Sequence, residues 1–228
     1  MPRIARVVAI EYPHHITQRG NYGQKIFSDD SDRKIYISLL KEETMRYHLA
    51  ILAYCLMPNH VHFIVVPKKE DSIGKAFKYI NMRYSQYYNK KIHTTGHLFQ
   101  GRFFSSVMDE MYTLACARYI ERNPVRAKMI KKPYLYDFSS ARIHCCIDRI
   151  DELGVNRLFK YIEEKQGSWK EFVEMSDNDS NIRQIKQSTK SGRPLGTGSF
   201  VEKLEKKLSR TLKLKPRGRP KRKEKGDK

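Results

Sequence analysis

The most constraining feature of the sequence is a pair of strand-like segments separated by two turn-forming residues. Residues 49–57 favour an extended backbone, Pro58 and Asn59 form a turn, and residues 60–66 make a second run whose end is almost continuously apolar. Two such runs on either side of a short turn predict a β-hairpin. Any fold for this chain must therefore contain these two adjacent antiparallel strands.

The elements around the hairpin define the fold class. In chain order, the pattern predicts a strand at 12–19, a helix at 28–47, the hairpin, a helix at 72–89 and an extended run through 103–107. This is the β-α-β-β-α-β order of a ferredoxin-like fold, in which helices pack on one face of an antiparallel sheet. We therefore predict an α+β protein with an added helix at 109–122 and a second sheet face left open for a ligand.

The charge is concentrated at the two ends of the chain. The 228 residues include 45 Lys and Arg against 25 Asp and Glu, which gives a formal net charge of +20. Residues 1–150 carry +11 and residues 203–228 carry +10, whereas residues 151–202 carry −1. An excess of this size indicates a polyanionic partner and argues against an ordinary acidic metabolite as the substrate.

Composition also divides the chain into parts. We predict a folded domain at 1–145, a helical extension with a polar linker at 146–214, and a basic disordered tail at 215–228. The parts expected within the extension are short amphipathic helices at 159–162 and 169–173, the linker at 176–191, and a helix that a capping box at 199–202 opens and that runs to about residue 212.

The sequence lacks the features of several protein classes. No run of about 18 uncharged apolar residues is present to span a membrane, and the first residues lack the apolar core of a secretory signal. The four cysteines form no Cys-x-x-Cys pair and are expected to be reduced thiols. No Gly-x-x-x-x-Gly-Lys-Ser/Thr loop occurs, so no nucleotide cofactor is expected. We expect a cytoplasmic, nucleoid-associated protein.

The sharpest local motif is the segment 57–62 (MPNHVH). Side chains at i and i+2 of a strand project from the same face, about 6.6 Å apart along the backbone. His60 and His62 are therefore placed to ligate one metal ion while Val61 packs behind them. Because strand histidines are more often satisfied by hydrogen bonds than by metals, a metal site requires a third ligand.

Tyr119 and Asn123 are candidates for the remaining chemistry. They stand at i and i+4 of the last predicted helix, which puts a phenol and an amide on one face, about 6 Å apart along the axis. The phenol is a candidate nucleophile and the amide oxygen a candidate ligand. Because the residue before a proline is biased away from helical dihedrals, Pro124 puts Asn123 at or just beyond the helix end. The alternative is that Tyr119 is a packed aromatic residue and Asn123 a cap or turn residue.

The segments that carry these residues resemble the REP-associated tyrosine transposases. The matching segments are 57–62 (MPNHVH), 96–103 (GHLFQGRF) and 118–127 (RYIERNPVRA). The resemblance runs from about residue 2 to residue 142, and residues 192–196 (GRPLG) resemble the C-terminal extension of the family. The family is related to the single-tyrosine insertion-sequence transposases within the His-hydrophobic-His endonuclease superfamily.

The resemblance implies a role for each candidate residue. His60 and His62 would hold a divalent cation, Mg²⁺ or Mn²⁺, and Asn123 would complete the protein ligands. Tyr119 would attack a phosphodiester of single-stranded or hairpin DNA and leave a 5′-phosphotyrosine and a free 3′-hydroxyl. Because the phosphotyrosine keeps the energy of the broken bond, a 3′-hydroxyl can reverse the step. The implied function is cleavage and rejoining of DNA at hairpin-forming repeats, by a monomer or a homodimer.

Basic residues near the motifs are candidate DNA contacts. Those that flank the motifs are Arg19, Arg102, Arg126 and Lys128. Each of them also fits an ordinary solvated basic surface. In the tail, Arg217 and Arg219 lie in a segment (PRGRP) that resembles an AT-hook core, which enters a narrow minor groove. A nonspecific polycationic tether fits the same residues, and either would make DNA binding steeply salt-dependent.

Two other functions fit parts of the sequence. A noncatalytic protein that binds DNA hairpins, in regulation or nucleoid organisation, would use the same fold without needing Tyr119. An RNA-binding module would stack bases on the aromatic residues of an open sheet, but the glycine-aromatic motif typical of RRM domains is missing. DNA cleavage and rejoining is therefore the leading interpretation.

Overall fold

The computed structural model describes residues 5–148, 150–161 and 169–213. Its four strands are β1 His14–Arg19, β2 Leu49–Met57, β3 His60–Pro67 and β4 Phe104–Val107. The helices are α1 Asp30–Arg46, α2 Ser72–Lys91, α3 Glu110–Glu121, α4 Asn123–Arg126, α5 Ala141–His144, α6 Arg157–Tyr161, α7 Trp169–Glu174, α8 Asp179–Ser191 and α9 Gly198–Leu208. Short 3-10 turns lie at Asn21–Gly23 and Pro133–Leu135.

The strands form one antiparallel sheet in the order β2-β3-β1-β4. This is the strand order of a ferredoxin-like fold, and it confirms the predicted α+β class. The predicted tail at 215–228, which includes Arg217 and Arg219, lies outside the described residues, as does the end of the helix predicted at 159–162. No helix in the described part of the chain is long and apolar enough to cross a membrane.

Helices α1 and α2 cover one face of the sheet. α1 begins at a reciprocal capping box in which Asp29 accepts from the backbone N–H of Asp32, and Asp32 accepts from the backbone N–H of Asp29. Tyr36 of α1 then lies fully buried between Phe63 of β3 and Tyr84 of α2. Aromatic packing of this kind accounts for much of the core on this face.

The second face of the sheet is covered as well, so the prediction of an open face is wrong. Ile64 and Val66 of β3 pack there against Cys116 and Ile120 of α3 and against Trp169 of α7. β2 and β3 are apolar on both faces, and an uncovered second face would leave these side chains in water. The polar side chains of β1 and of the start of β3 lie on this same side of the sheet.

The segment predicted as a polar linker at 176–191 is largely the helix α8. Asn178 caps its start by accepting from the backbone N–H groups of Ser180 and Asn181, and Gly192 ends it with a left-handed φ of 73°. Ile185 and Thr189, four residues apart, are its buried residues. The linker prediction is wrong because the few apolar residues of this segment all lie on one helical face.

The last described helix also differs from its prediction. Thr197, two residues before the predicted cap, accepts from the backbone N–H of Phe200 and opens α9. The helix ends at Leu208 because Ser209 adopts a left-handed conformation with φ of 47°. Phe200 and Leu204 dock α9 onto Val107 at the edge of the sheet.

A buried polar cluster joins α3 to the C-terminal extension. The Glu121 carboxylate, with no exposed surface, accepts hydrogen bonds from Ser140 at 2.5 Å, His144 Nδ1 at 2.5 Å and Trp169 Nε1 at 2.8 Å. Burial opposes the charging of His144, but the adjacent Glu121 outweighs it and raises the pKa of His144. The helix that carries Tyr119 is thereby fixed to α5 and α7.

Candidate active site

A cavity of about 480 Å³ lies where three strands meet α3 and α8. Its lining residues are His15, Thr17, Arg19, His60, His62, Gln100, Phe104, Tyr119, Lys186, Thr189 and Lys190. Successive side chains of a strand point to opposite faces, so His15, Thr17 and Arg19 project from the same face of β1. Thr17 pairs with His62 of β3, which brings His62 to the same face. The cavity therefore combines imidazoles, a phenol and three cationic side chains.

The structure brings the two motif histidines together at this cavity. The rings of His60 and His62 are perpendicular, with centroids 4.9 Å apart. Burial lowers the pKa of His60 to about 4, with a contribution from the nearby charge of Arg19, and it lowers the pKa of His62 well below its usual value. Both imidazoles are therefore neutral at pH 7, which is the form that can bind a metal ion.

The hydrogen bonds of these histidines are confined to one nitrogen of each ring. His60 Nδ1 lies 2.6 Å from Asn59 Oδ1, and His62 Nδ1 lies 2.9 Å from His15 Nε2. No residue in the described ranges is hydrogen-bonded to Nε2 of either histidine. The two Nε2 atoms are the groups that remain for a ligand at the cavity.

Tyr119 reaches the same cavity from α3. Its ring is 7% exposed and stands edge-on to His62, with centroids 5.7 Å apart. Burial raises the pKa of Tyr119 to about 12, although the Arg126 guanidinium, 4.3 Å from the ring centroid, acts in the opposite direction. Its hydroxyl makes no hydrogen bond with any described residue. Tyr119 is thus a protonated phenol at pH 7, and its oxygen is not hydrogen-bonded to any described residue.

Asn123 lies at the junction of α3 and α4. Its amide nitrogen is 3.3 Å from the carbonyl oxygens of both Tyr119 and Ile120, so the side chain closes the last turn of α3. It is buried and does not line the cavity. Its role as a third metal ligand stays a prediction, and binding of an ion through its oxygen would require the side chain to turn from this position.

The predicted DNA contacts occupy different positions. Arg19 lines the cavity, and Arg102 lines a neighbouring cleft that shares Phe104, Thr189 and Lys190 with it. Lys128 is exposed, with a left-handed φ of 56°, away from the cavity. Arg126 is bound to the Tyr119 carbonyl and to Asp177, at 3.4 Å. Among these four, Arg19 lines the cavity that holds the phenol and the imidazoles, and Arg126 contacts the Tyr119 ring without lining that cavity.

Arginines spaced four residues apart bind the extension near the site. Arg118 donates to the carbonyl oxygens of Phe172, Met175 and Ser176. Arg122 donates to the Val173 carbonyl and forms an ion pair with Asp177 at 2.8 Å. Together with Arg126 they tie the segment before α8 to the helix of Tyr119, which holds α8 over the cavity.

Sequence reasoning misses several cavity residues, among them His15, Lys186, Thr189 and Lys190. His15 was interpreted only as part of a strand, although its alternation with Thr17 and Arg19 places it on the face of the site. Lys186 and Lys190 were missed because their segment was interpreted as a linker. Lys186 and Lys190 are four residues apart, which is the spacing of neighbours on one helical face, and this spacing could have indicated a helix here.

The comparisons with known proteins place this fold and site in a family. Residues 9–123, just over half of the chain, match the family Transposase IS200 like. The chain belongs to the IS200-like transposase family, whose members act on DNA. The match ends at Asn123 and includes both motif histidines and Tyr119.

The fold itself is shared with a solved structure. A REP-associated tyrosine transposase bound to a REP hairpin is similar with a TM-score of 0.54 and 16% identity, over 67% of this chain and 90% of that one. A transposase structure from Deinococcus radiodurans R1 matches with a TM-score of 0.38 and 16% identity, over 54% of this chain and 97% of that one. No curated protein matches the chain. The resemblance recognised in the sequence motifs is confirmed.

Proposed function

We propose that this chain cleaves and rejoins one strand of hairpin-forming DNA, with Tyr119 as the nucleophile and His60 and His62 as the ligands of a divalent cation. The observation that carries the proposal is that one cavity is lined by the Tyr119 phenol and by two neutral imidazoles. The phenol oxygen and both imidazole Nε2 atoms make no hydrogen bond with any described residue. The hairpin bound to the structurally similar transposase supports this class of DNA.

The donor atoms present fit a divalent cation in part. Within the described ranges no three His, Cys, Asp or Glu side chains converge on one point. The chain therefore offers two imidazole nitrogens, and we propose that the Asn123 oxygen and phosphate oxygens of the DNA supply the rest, as Mg²⁺ or Mn²⁺ prefers. Such an ion, when bound, would polarise the phosphate and neutralise charge that develops on it.

The residues of the chain supply the remaining chemistry. Arg19, Lys186 and Lys190 line the cavity with positive charge and would hold phosphates of the bound strand. The Tyr119 oxygen forms a bond to phosphorus as the bond between phosphorus and the 3′ oxygen breaks. The phenol releases one proton and the leaving 3′ oxygen takes up one, so the products are a phosphotyrosine and a 3′-hydroxyl. Reversal by a 3′-hydroxyl restores the phosphodiester and the phenol.

Replacing either histidine tests the metal site. His60→Ala and His62→Ala are each expected to abolish cleavage of hairpin DNA, while binding of the hairpin stays within roughly tenfold because the basic surface remains. The measurement is cleavage of labelled hairpin with added Mg²⁺ or Mn²⁺, together with a binding titration. His93→Ala, which changes an exposed histidine after α2, is the matched control. Full cleavage by the His60 or His62 variant would contradict the assignment.

Removing the basic tail tests its contribution to affinity. Residues 215–228 contain 8 Lys and Arg against 2 Asp and Glu, so their deletion should weaken DNA binding and reduce its dependence on salt. Cleavage at saturating DNA should persist because the tail carries none of the proposed catalytic groups. The check is the slope of log affinity against log salt concentration for both lengths of chain. An identical slope would show that the tail does not contact phosphates.

A further inference from the structure

One hydrogen-bonded relay runs from α8 in the C-terminal extension to the metal-binding face of His62. It begins at Thr189, whose hydroxyl lies 2.8 Å from the Ile185 carbonyl oxygen and 2.7 Å from His15 Nδ1. A hydroxyl has one hydrogen, and a carbonyl oxygen can only accept. Thr189 therefore donates to Ile185 and must accept from an N–H at His15 Nδ1.

The direction of that bond determines the next one. A neutral imidazole carries one N–H, so His15 with its proton on Nδ1 has a bare Nε2. His15 Nε2 lies 2.9 Å from His62 Nδ1 and must accept from it. His62 therefore carries its proton on Nδ1, and its Nε2 lone pair is left for the cavity.

His60 reaches the same state through a separate bond. The Asn59 amide nitrogen donates to the Gly23 carbonyl at 3.2 Å, which sets the orientation of the amide. Asn59 Oδ1 then accepts from His60 Nδ1 at 2.6 Å, and Nε2 of His60 is bare. The two motif histidines thus both have a bare Nε2, although His15 of β1 orients His62 and Asn59 of the hairpin turn orients His60.

The members of the relay line the cavity but expose little surface to water. His15, His62 and Thr189 are 2%, 6% and 4% exposed. The planes of the His15 and His62 rings lie within 10° of each other, so the bond between them also fixes the plane of the His62 ring. Loss of the Thr189 hydroxyl or of the His15 imidazole would leave a buried N–H without an acceptor.

We propose that His15 and Thr189 are positioning residues that hold His62 in the tautomer whose Nε2 faces the cavity, so that α8 completes the metal site. The metal-binding part of this inference rests on the proposed function. Partners behind metal-binding histidines commonly change metal affinity by about 10- to 100-fold. The relay itself depends only on the protein and can be tested without DNA or metal.

The test compares two substitutions of Thr189 in the full chain. Thr189→Val keeps the shape of the side chain but removes the acceptor, whereas Thr189→Ser keeps the hydroxyl. NMR of ¹⁵N-histidine-labelled protein without metal reports the tautomer of His62. We expect Nδ1–H in the wild type and in Thr189→Ser, and a mixture of tautomers in Thr189→Val. Titration with Mn²⁺ should show affinity about tenfold or more weaker for Thr189→Val only.

Thr44→Val is the matched control, because Thr44 on α1 makes the same bond to a carbonyl four residues earlier but packs near the opposite face. It should change neither measurement. A pure Nδ1–H tautomer of His62 in Thr189→Val would overturn the relay. A mixed tautomer with wild-type Mn²⁺ affinity would overturn the role of α8 in the metal site. Cleavage that survives loss of His60 or His62 would instead reject the proposed function, whatever the tautomer of His62.

Discussion

Replacing Tyr119 by phenylalanine is expected to abolish covalent attachment of DNA while leaving the fold and hairpin binding intact. Phenylalanine keeps the ring that packs against His62 and beneath Arg126. Because the hydroxyl makes no hydrogen bond with any described residue, its removal leaves no buried partner unsatisfied. Only the oxygen that we propose as the nucleophile is lost.

The measurement uses labels on both sides of the break. With the wild type, label on the 5′ side should leave in a fragment that ends in a 3′-hydroxyl, and label on the 3′ side should migrate with the protein on a denaturing gel. Tyr112→Phe is the matched control, since its exposed hydroxyl bonds Gln184 at 2.6 Å. Covalent labelling of Tyr119→Phe would assign the nucleophile to another residue. Hairpin binding by the wild type without any adduct would support the noncatalytic alternative.

Replacing Glu121 by leucine is expected to destabilise the protein by about 3–5 kcal/mol, the cost of removing one partner from a buried ion pair. Three donors, from Ser140, His144 and Trp169, would lose their shared acceptor in a region without exposed surface. Trp169 is the only tryptophan, so its fluorescence in a urea titration reports directly on this cluster. Circular dichroism in the same titration reports on the whole chain.

The matched control removes a carboxylate from an exposed ion pair. Glu152, 3.4 Å from Lys41, has a side chain that is 62% exposed. Glu152→Leu should leave the unfolding midpoint unchanged, because exposed pairs contribute little. Equal effects of the two substitutions would show that burial of the Glu121 cluster does not stabilise the fold.

The raised pKa of His144 also predicts a pH dependence. Protonated His144 stabilises the folded state fully below the unfolded pKa of about 6.5. That contribution is lost as pH rises through the higher folded-state pKa. Urea titrations between pH 6 and pH 9 should therefore show a loss of stability in the wild type that His144→Gln lacks. A rise in wild-type stability over this range relative to His144→Gln would contradict the buried ion pair.

The sequence by itself determined the order of elements from β1 to α3 and the chemical motif. β2, β3 and the turn between them could be predicted because β-branched and other apolar residues favour strands and Pro58 favours a turn, and these preferences act over a few residues. His60 and His62 share a face for the same local reason, since successive side chains of a strand alternate. Tyr119 was identified by its motif and by its place on an amphipathic helix.

Only the tertiary structure decided how the site is completed. His15 meets His62 through the β1–β3 register, and Thr189 reaches His15 from 174 residues away along the chain. Arg126 binds Asp177 because the extension packs across α3. These contacts depend on which apolar faces pack against each other. The sequence of α8 has low hydrophobicity and does not identify its packing partner, because the surface that α8 covers exists only once the strands and α3 have folded.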